Sequence, residues 1–237
     1  MDKQDGRKKQ IEIEAAVENH RIFLMRHGET EWNRNFRYQG CSDVPLSEVG
    51  EGQARRLAVR MSRIVPVRVY ASPLSRAYRT AEILMEGNRS DVAIEPCEDL
   101  REISFGFWEG KTVDEVQALD GETLDRWRSV PFSATPRGGE SMASIMTRSD
   151  RMADRVRREG RAGDVTFVVA HGAILRSFLG ALLCIDDLNV LWRMRMDNCS
   201  VTVVDLWGSR PSLLTLNDTH HLRVVDDGVV ASLDFCR

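Results

Sequence analysis

Residues 21–33 read RIFLMRHGETEWN, an apolar run that passes directly into a chemically dense turn. Ile22, Phe23, Leu24 and Met25 predict a strand covered on both faces, because four consecutive apolar residues with a β-branched member suit a buried parallel sheet. The run stops at Arg26-His27-Gly28. Open α/β sheets bind ligands beyond the carboxyl ends of their strands, so this stop is where a function is sought. Arg26 beside His27 points to an anion. A guanidinium binds phosphoryl oxygens bidentately, a neutral imidazole can attack phosphorus, and Gly28 is expected to let backbone approach the ligand closely. Taken alone, the pair fits equally well a strand end that satisfies neighbouring carboxylates.

A second stretch repeats the pattern. Residues 165–170, VTFVVA, form another buried run that ends in His171-Gly172 and leads into a helix from Ala173 to Leu183. Two such turns meet only if both strands lie near one another in one parallel sheet with their carboxyl ends on the same edge. A histidine at a helix start protonates reluctantly, and a bound phosphate reverses this, so His171 is expected to donate to a phosphoryl oxygen.

Between these runs, residues 32–53 are rich in polar, Gly and Pro turn signals, a long loop over the strand end. Ser47-Glu48 opens a helix whose apolar positions are Ala54, Leu57, Ala58 and Met61. A strand from Val67 to Ala71 leads to Ser72-Pro73, read as N-cap and first helical residue. Arg76 then sits in a first helical turn, where a cation opposes the helix dipole unless an anion shares the spot. A surface ion pair is the plainer account. Arg79 is expected to point outward.

A short strand is expected over Val92 to Ile94, and LREISFGFWEG follows at residues 100–110. Glu102 and Glu109 lie there amid Ile103, Phe105, Phe107 and Trp108. Such surroundings suit a general acid, and of the two Glu102 is favoured as functional and Glu109 as structural. The three aromatic residues suggest an apolar patch for substrate. A helix runs from Thr112 to Arg128, and a further one opens at Glu140-Ser141 with Met142, Ile145, Met146, Met152 and Val156 as its buried stripe. Its Arg148, Arg151, Arg155, Arg157 and Arg158 read as a solvated face. A short polar helix at 187–192, then strands at 200–206 and 213–216 joined as a hairpin, give the sheet an antiparallel edge. His220 and His221 read as surface residues.

The fold class that results is α/β: three layers, a mostly parallel sheet with one antiparallel edge strand and helices on both faces. Residues 1–19 read as a flexible tail and 20–237 as one domain. At 237 residues, 42% hydrophobic and 29% charged, the chain can bury a substantial core. A net charge of −3 and the absence of long basic blocks argue against nucleic acid as a partner, and no run reaches membrane-spanning length. The five cysteines are scattered without paired spacing, which argues against a disulfide framework or a zinc site and for a reducing cytoplasm. The oligomeric state stays open.

The joint set of motifs is specific. RHGETEWN (26–33), QGCSDVPLSEVGEGQA (39–54), SPLSRAYRTAE (72–82), LREISFGFWEGK (100–111), PRGGES (136–141) and VAHGAILR (169–176) occur in an order that resembles the histidine phosphatase superfamily, the phosphoglycerate mutase-like proteins. The resemblance implies a phosphohistidine nucleophile at His27, a phosphate pocket of Arg26, Arg76 and His171, and Glu102 as the acid. It also implies substrate contacts from Asn33 and Gly172, and a mostly parallel α/β sheet. LREISFGFWEG looks like the phosphatase branch that includes α-ribazole phosphatase and broad-specificity phosphatases. The implied activity is a metal-independent phosphomonoesterase, without cofactor, acting on a small phosphate ester. A cofactor-dependent phosphoglycerate mutase is the alternative within the family, and a non-catalytic phospho-ligand binding protein the alternative outside enzymes.

Overall fold

The alternation within the first strand organises two cores. The computed structural model describes residues 19–129, 134–185, 187–207, 210–223, 225–226 and 229–230. In order, the elements are β1 (His20–Arg26), α1 (Glu31–Arg34), α2 (Glu48–Met61), β2 (Arg68–Ala71), α3 (Ser75–Glu86), β3 (Ile94–Pro96), α4 (Val113–Ser129), α5 (Met142–Glu159), β4 (Val165–Ala170), α6 (Gly172–Leu183), α7 (Leu188–Trp192), β5 (Val201–Trp207), β6 (Arg210–Asp218), β7 (Val225–Asp226) and β8 (Val229–Val230). Ile22 and Leu24 of β1 face a core shared with α5 and α6, whereas Phe23 and Met25 face a core shared with α2 and α3. The period of two along a strand sends successive side chains to opposite faces, so a strand buried on both sides must be apolar throughout. Each fully buried large side chain adds about 1.5–3 kcal/mol of transfer free energy.

Six strands pair in the order β3-β2-β4-β1-β5-β6. β1, β2, β3 and β4 are mutually parallel, and β5 runs against β1 before turning back into β6. The hairpin is therefore the antiparallel edge, and the sheet carries helices on both faces. β7 and β8 form a separate two-stranded pair. The register of β1 on β4 sets Arg26 opposite Ala170, and Phe23 meets Phe167 edge to face at 5.5 Å.

Several local readings change in the folded chain. The expected tail over residues 1–19 lies outside the described residues except for Asn19, which is 1% exposed, bonds Asp205 through its side chain and accepts from the Gly163 N–H. The third strand is Ile94–Pro96, shifted toward the loop that it leads into. Helix α4 breaks its helical dihedrals at Asp120, whose Oδ2 accepts from the indole of Trp108 at 2.8 Å. Trp108 and Phe105 do not form a substrate patch: Trp108 is fully buried, and Phe105 packs with it, Tyr38 and Trp127 as an aromatic layer. Phe107 is only partly buried, with Lys111 Nζ at 4.2 Å and the Arg137 guanidinium at 4.4 Å from its ring centre.

The arginine face of α5 is also not simply solvated. Arg148 pairs with Glu140 and donates to the carbonyls of Asp99 and Arg101 at 2.7 and 2.9 Å, while Arg155 lies over the Tyr70 ring and pairs with Glu95 and Glu159. Long cationic side chains bury their stems and direct their heads at acceptors, which helical periodicity alone does not reveal. Arg79 does remain on the surface, paired with Glu82 and Glu86. His221 is half-buried and bonds Arg60; burial first, then Arg60, lower its pKa to about 4. Among the described residues no helix is long and apolar enough to cross a membrane.

The turn after β1 is held by backbone contact. A Cβ on Gly28 would come within 2.4 Å of the Gly50 carbonyl oxygen, and one on Gly50 within 2.0 Å of that of Glu29. The close approach expected of Gly28 toward a ligand is thus made to the first turn of α2. Ser47 caps that helix through the Gly50 N–H at 3.1 Å and donates its own N–H to the Glu29 carbonyl at 2.9 Å. Since neither partner is a flexible side chain, Gly50→Ala is expected to lower stability by about 1–3 kcal/mol through overpacking. Urea denaturation measures the loss, and an unchanged midpoint would show that the contact relaxes freely.

Candidate active site

β1 and β4 are neighbours in register, so the residues that follow them emerge side by side at the carboxyl edge of the sheet. The His27 and His171 rings lie 5.0 Å apart, and both residues are almost wholly buried. His27 Nδ1 meets the Gly28 carbonyl at 2.6 Å. A carbonyl only accepts, so Nδ1 carries the proton and Nε2 keeps its lone pair. His171 follows β4 and forms the N-cap residue of α6; its Nε2 lies 2.7 Å from Ser72 Oγ, and its buried Nδ1 has no partner among the described residues.

The two arginines enter from different elements. Arg26 is the last residue of β1 and donates from Nη1 to the Met196 carbonyl at 2.6 Å. Arg76 sits in the first turn of α3 with 1% exposure, donating to the carbonyls of Gly40 and Ser42 at 2.7 and 2.8 Å. Its Nε has no partner among the described residues. Burial lowers the Arg76 pKa to about 10, with Glu102 and Asp43 working the other way, so the group stays cationic at neutral pH. The helix-dipole argument is answered in part by loop carbonyls: the segment 40–42 folds over the start of α3 and accepts from the guanidinium.

Glu102 is not seated in an apolar pocket. Its Oε1 accepts from the Ile103 and Ile174 N–H groups and its Oε2 from Ala173 N–H, each at 3.1 Å, so the carboxyl rests on the first turn of α6. That turn offers N–H groups without intrahelical partners, and a carboxyl oxygen is a natural acceptor for them. A Cβ on Gly172 would lie 3.8 Å from both the Arg26 guanidinium and Glu102 Oε2, so the two groups share the space over this glycine. Glu109, by contrast, ties loops together, accepting from the N–H groups of Cys41, Ser42 and Phe105 at 2.9–3.1 Å. A cleft of about 380 Å³ opens beside Glu102, lined by Cys41, Arg101, Glu140, Arg148 and Arg151 among others.

Asn33 completes a capping box with Thr30, and its Oδ1 also accepts from Asn198 Nδ2 at 3.2 Å. The carbonyl side of the amide is engaged, which leaves Nδ2 as a donor. Three further residues hold the site together. Asn198 donates to the His27 carbonyl at 3.0 Å, Thr80 accepts from Gly28 N–H at 3.1 Å, and Ser72 holds His171. The N-cap expected of Ser72 is not made: α3 begins at Ser75, Leu74 occupies the capping position, and the Ser72 hydroxyl turns toward β4. None of the three carries a signal in an isolated sequence, since hydroxyls and amides near turns usually serve local backbone.

The electrostatics of the two imidazoles are alike. Burial first, then Arg76 and Arg26, hold His27 well below the usual imidazole range, and burial with Arg76 does the same for His171. Both are neutral at pH 7. Because the native pKa values lie below the unfolded value of about 6.5, their contribution to stability is complete above that pH and is lost as the pH falls toward the native values. The urea midpoint should therefore drop between about pH 7 and about pH 5.5, and drop less in a His27→Asn, His171→Asn double variant. Equal slopes in the two proteins would remove the assignment.

Residues 22–219 match the histidine phosphatase superfamily (branch 1). Phosphoserine phosphatase 1 of Hydrogenobacter thermophilus is 37% identical over 202 residues, covering 85% of this chain and 94% of its own. A probable phosphoglycerate mutase of Photorhabdus laumondii is 35% identical over 188 residues, covering 78% and 84%. The solved mycobacterial glucosyl-3-phosphoglycerate phosphatase, complexed with VO3, aligns with a TM-score of 0.75 at 30% identity over 83% of this chain and 98% of that one. With this match over most of its length, the chain belongs to the histidine phosphatase superfamily, branch 1.

Proposed function

We propose that this chain is a metal-independent phosphomonoesterase that hydrolyses a small phosphorylated metabolite through a phosphohistidine at His27. The observation that carries the reading is the fixed tautomer of His27: Nδ1–H is spent on the Gly28 carbonyl, so the basic nitrogen Nε2 is the one left to react beside Arg26, Arg76 and His171. Phosphoryl transfer needs positioning and charge neutralisation more than elaborate covalent chemistry. In the first step Nε2 attacks phosphorus in line, the bond to the ester oxygen breaks, and that oxygen takes a proton from the Glu102 carboxyl. In the second, Glu102 accepts a proton from water, the oxygen bonds to phosphorus, the N–P bond breaks, and phosphate leaves with His27 neutral again. Arg26, Arg76, His171 and the Asn33 amide are the donors to the equatorial oxygens. Metal independence is supported by the charge of the pocket, since guanidinium groups that depress both imidazoles also repel a divalent cation.

The leaving group is expected to occupy the cleft beside Glu102. Its walls carry both signs of charge, Arg101, Arg148 and Arg151 with Glu98, Asp99 and Glu140, which favours a polar or charged alcohol over the apolar one suggested by the aromatic run. Placement in a reducing cytoplasm follows from the scattered spacing of the cysteines in the sequence.

A mutase is the second reading, because a relative of that description matches 78% of the chain. A second anionic end of a substrate would need cations near the segment after Glu102, and Lys111 and Arg137 flank Phe107 there. Preference for hydrolysis rests on a phosphatase relative at 37% identity and on the fit to a solved phosphatase. Phosphate release from a good monoester should greatly exceed interconversion of 3- and 2-phosphoglycerate primed with bisphosphoglycerate; the reverse order would establish the mutase.

Quenching during turnover should trap label that is stable in alkali and labile in acid, as an N–P bond requires, and His27→Ala should neither trap it nor turn over. EDTA should leave the rate unchanged. Label on serine, or activity lost to EDTA and restored by a divalent metal, would overturn the mechanism.

A further inference from the structure

The two histidines follow the same sequence pattern, strand then His-Gly, yet the structure ties down opposite nitrogens. His27 is held at Nδ1 by a carbonyl. His171 is held at Nε2 by the Ser72 hydroxyl at 2.7 Å, and its Nδ1, in a residue with no exposed surface, has no partner among the described residues. A hydroxyl can donate or accept, so the direction of the second bond must be worked out from the rest of the hydrogen-bond network.

Ser72 is itself fully buried. Its oxygen already accepts from the Leu74 N–H at 3.3 Å, and no acceptor other than His171 Nε2 is recorded for its hydroxyl proton among the described residues. If His171 donated from Nε2, the Ser72 proton would be left without an acceptor, at a cost of about 1–3 kcal/mol for a buried donor. His171 Nδ1 would then turn a lone pair toward an arriving phosphoryl oxygen, which is repulsive. If instead Ser72 donates to Nε2, every group is consistent: the neutral ring carries its proton on Nδ1. The placement follows from the sheet, because Ser72 continues β2 beside β4, its N–H bonded to the Val169 carbonyl at 2.9 Å, two residues before His171.

We propose that Ser72 is a positioning residue that donates to His171 Nε2 and so makes neutral His171 a phosphoryl hydrogen-bond donor through Nδ1–H. The proposal rests on the phosphohistidine reading for its role in turnover. It differs from the expectation of a charged histidine in the pocket: no proton need be taken up when substrate binds, and one imidazole presents a lone pair to phosphorus while its neighbour presents an N–H to oxygen.

The resting enzyme tests the tautomer directly. Long-range nitrogen–proton correlation spectra of 15N-labelled protein above neutral pH, with His171 assigned through His171→Asn, should show a protonated Nδ1 and an unprotonated Nε2. Ser72→Ala should lose that preference and lower kcat for a simple aryl phosphate by about 10- to 100-fold, less than deletion of a whole transition-state donor. Ser72→Thr, which keeps the hydroxyl, should recover most of the rate, and formation of the alkali-stable phosphoenzyme should slow in the alanine variant alone. A wild-type His171 protonated at Nε2, or at both nitrogens, would overturn the proposal without any variant. So would an alanine variant with normal kcat and normal phosphoenzyme formation. If the wild-type enzyme forms no phosphohistidine at all, the proposed mechanism fails and takes with it the role assigned to Nδ1–H in turnover, whereas the spectra judge the tautomer separately.

Discussion

The parallel pairing of β1 with β4 is the constraint on which the remaining structure depends. Its register sets Arg26 against Ala170, so the next residue on each strand is a histidine and the two rings arrive 5.0 Å apart. A slip of one residue would turn every side chain of β1 to the other face of the sheet, and the apolar run on both faces makes either placement of the chain costly unless both cores are covered. α2 and α3 cover one side, α5 and α6 the other. The site is therefore a consequence of how the core is filled.

Assembling two buried imidazoles, the buried Arg76 and the partly buried Arg26 is unfavourable in the absence of an anion, since like charges in a poorly solvated space repel. The protein lessens this in two ways. Both histidines are kept neutral by burial and by the arginines, and the arginines direct part of their donor capacity at carbonyls of Gly40, Ser42 and Met196. What remains at the site is the Nε of Arg76 and the Nδ1 of His171, both buried and without a partner among the described residues.

Glu102 is held by the first turn of α6 at its carboxyl and by loop contacts along its backbone. Glu140 and Arg148, 18% and 14% exposed, form an ion pair whose arginine also fixes the carbonyls of Asp99 and Arg101 just ahead of Glu102. Burial works against the Glu140 carboxylate, and the hydrogen bonds from Arg148 and Ser144 nonetheless hold it below the usual range. Glu109 gathers the N–H groups of residues from two loops at the opposite side of the same segment. Both carboxylates bear on the position of Glu102 through the chain that carries it.

Much of this was legible in the sequence by itself. Apolar runs at 22–25 and 165–170 ending in His-Gly identify two buried strands and the sheet edge at which both histidines lie, because burial on both faces and a polar strand end each leave a local mark. The helix starts at Ser47 and Ser141 are local as well, being set by one side-chain oxygen and a nearby N–H. Only the tertiary structure decided the rest. Ser72 reads as a helix cap until β4 is placed beside it, Trp108 reads as a pocket wall until α4 closes over it, and Arg148 reads as solvated until the loop at 99–101 offers carbonyls. In each case the residue is amphipathic or can either donate or accept, and its partner lies 12 to 99 positions away. Local sequence limits what such a side chain can bond, and packing of distant segments selects which bond it makes.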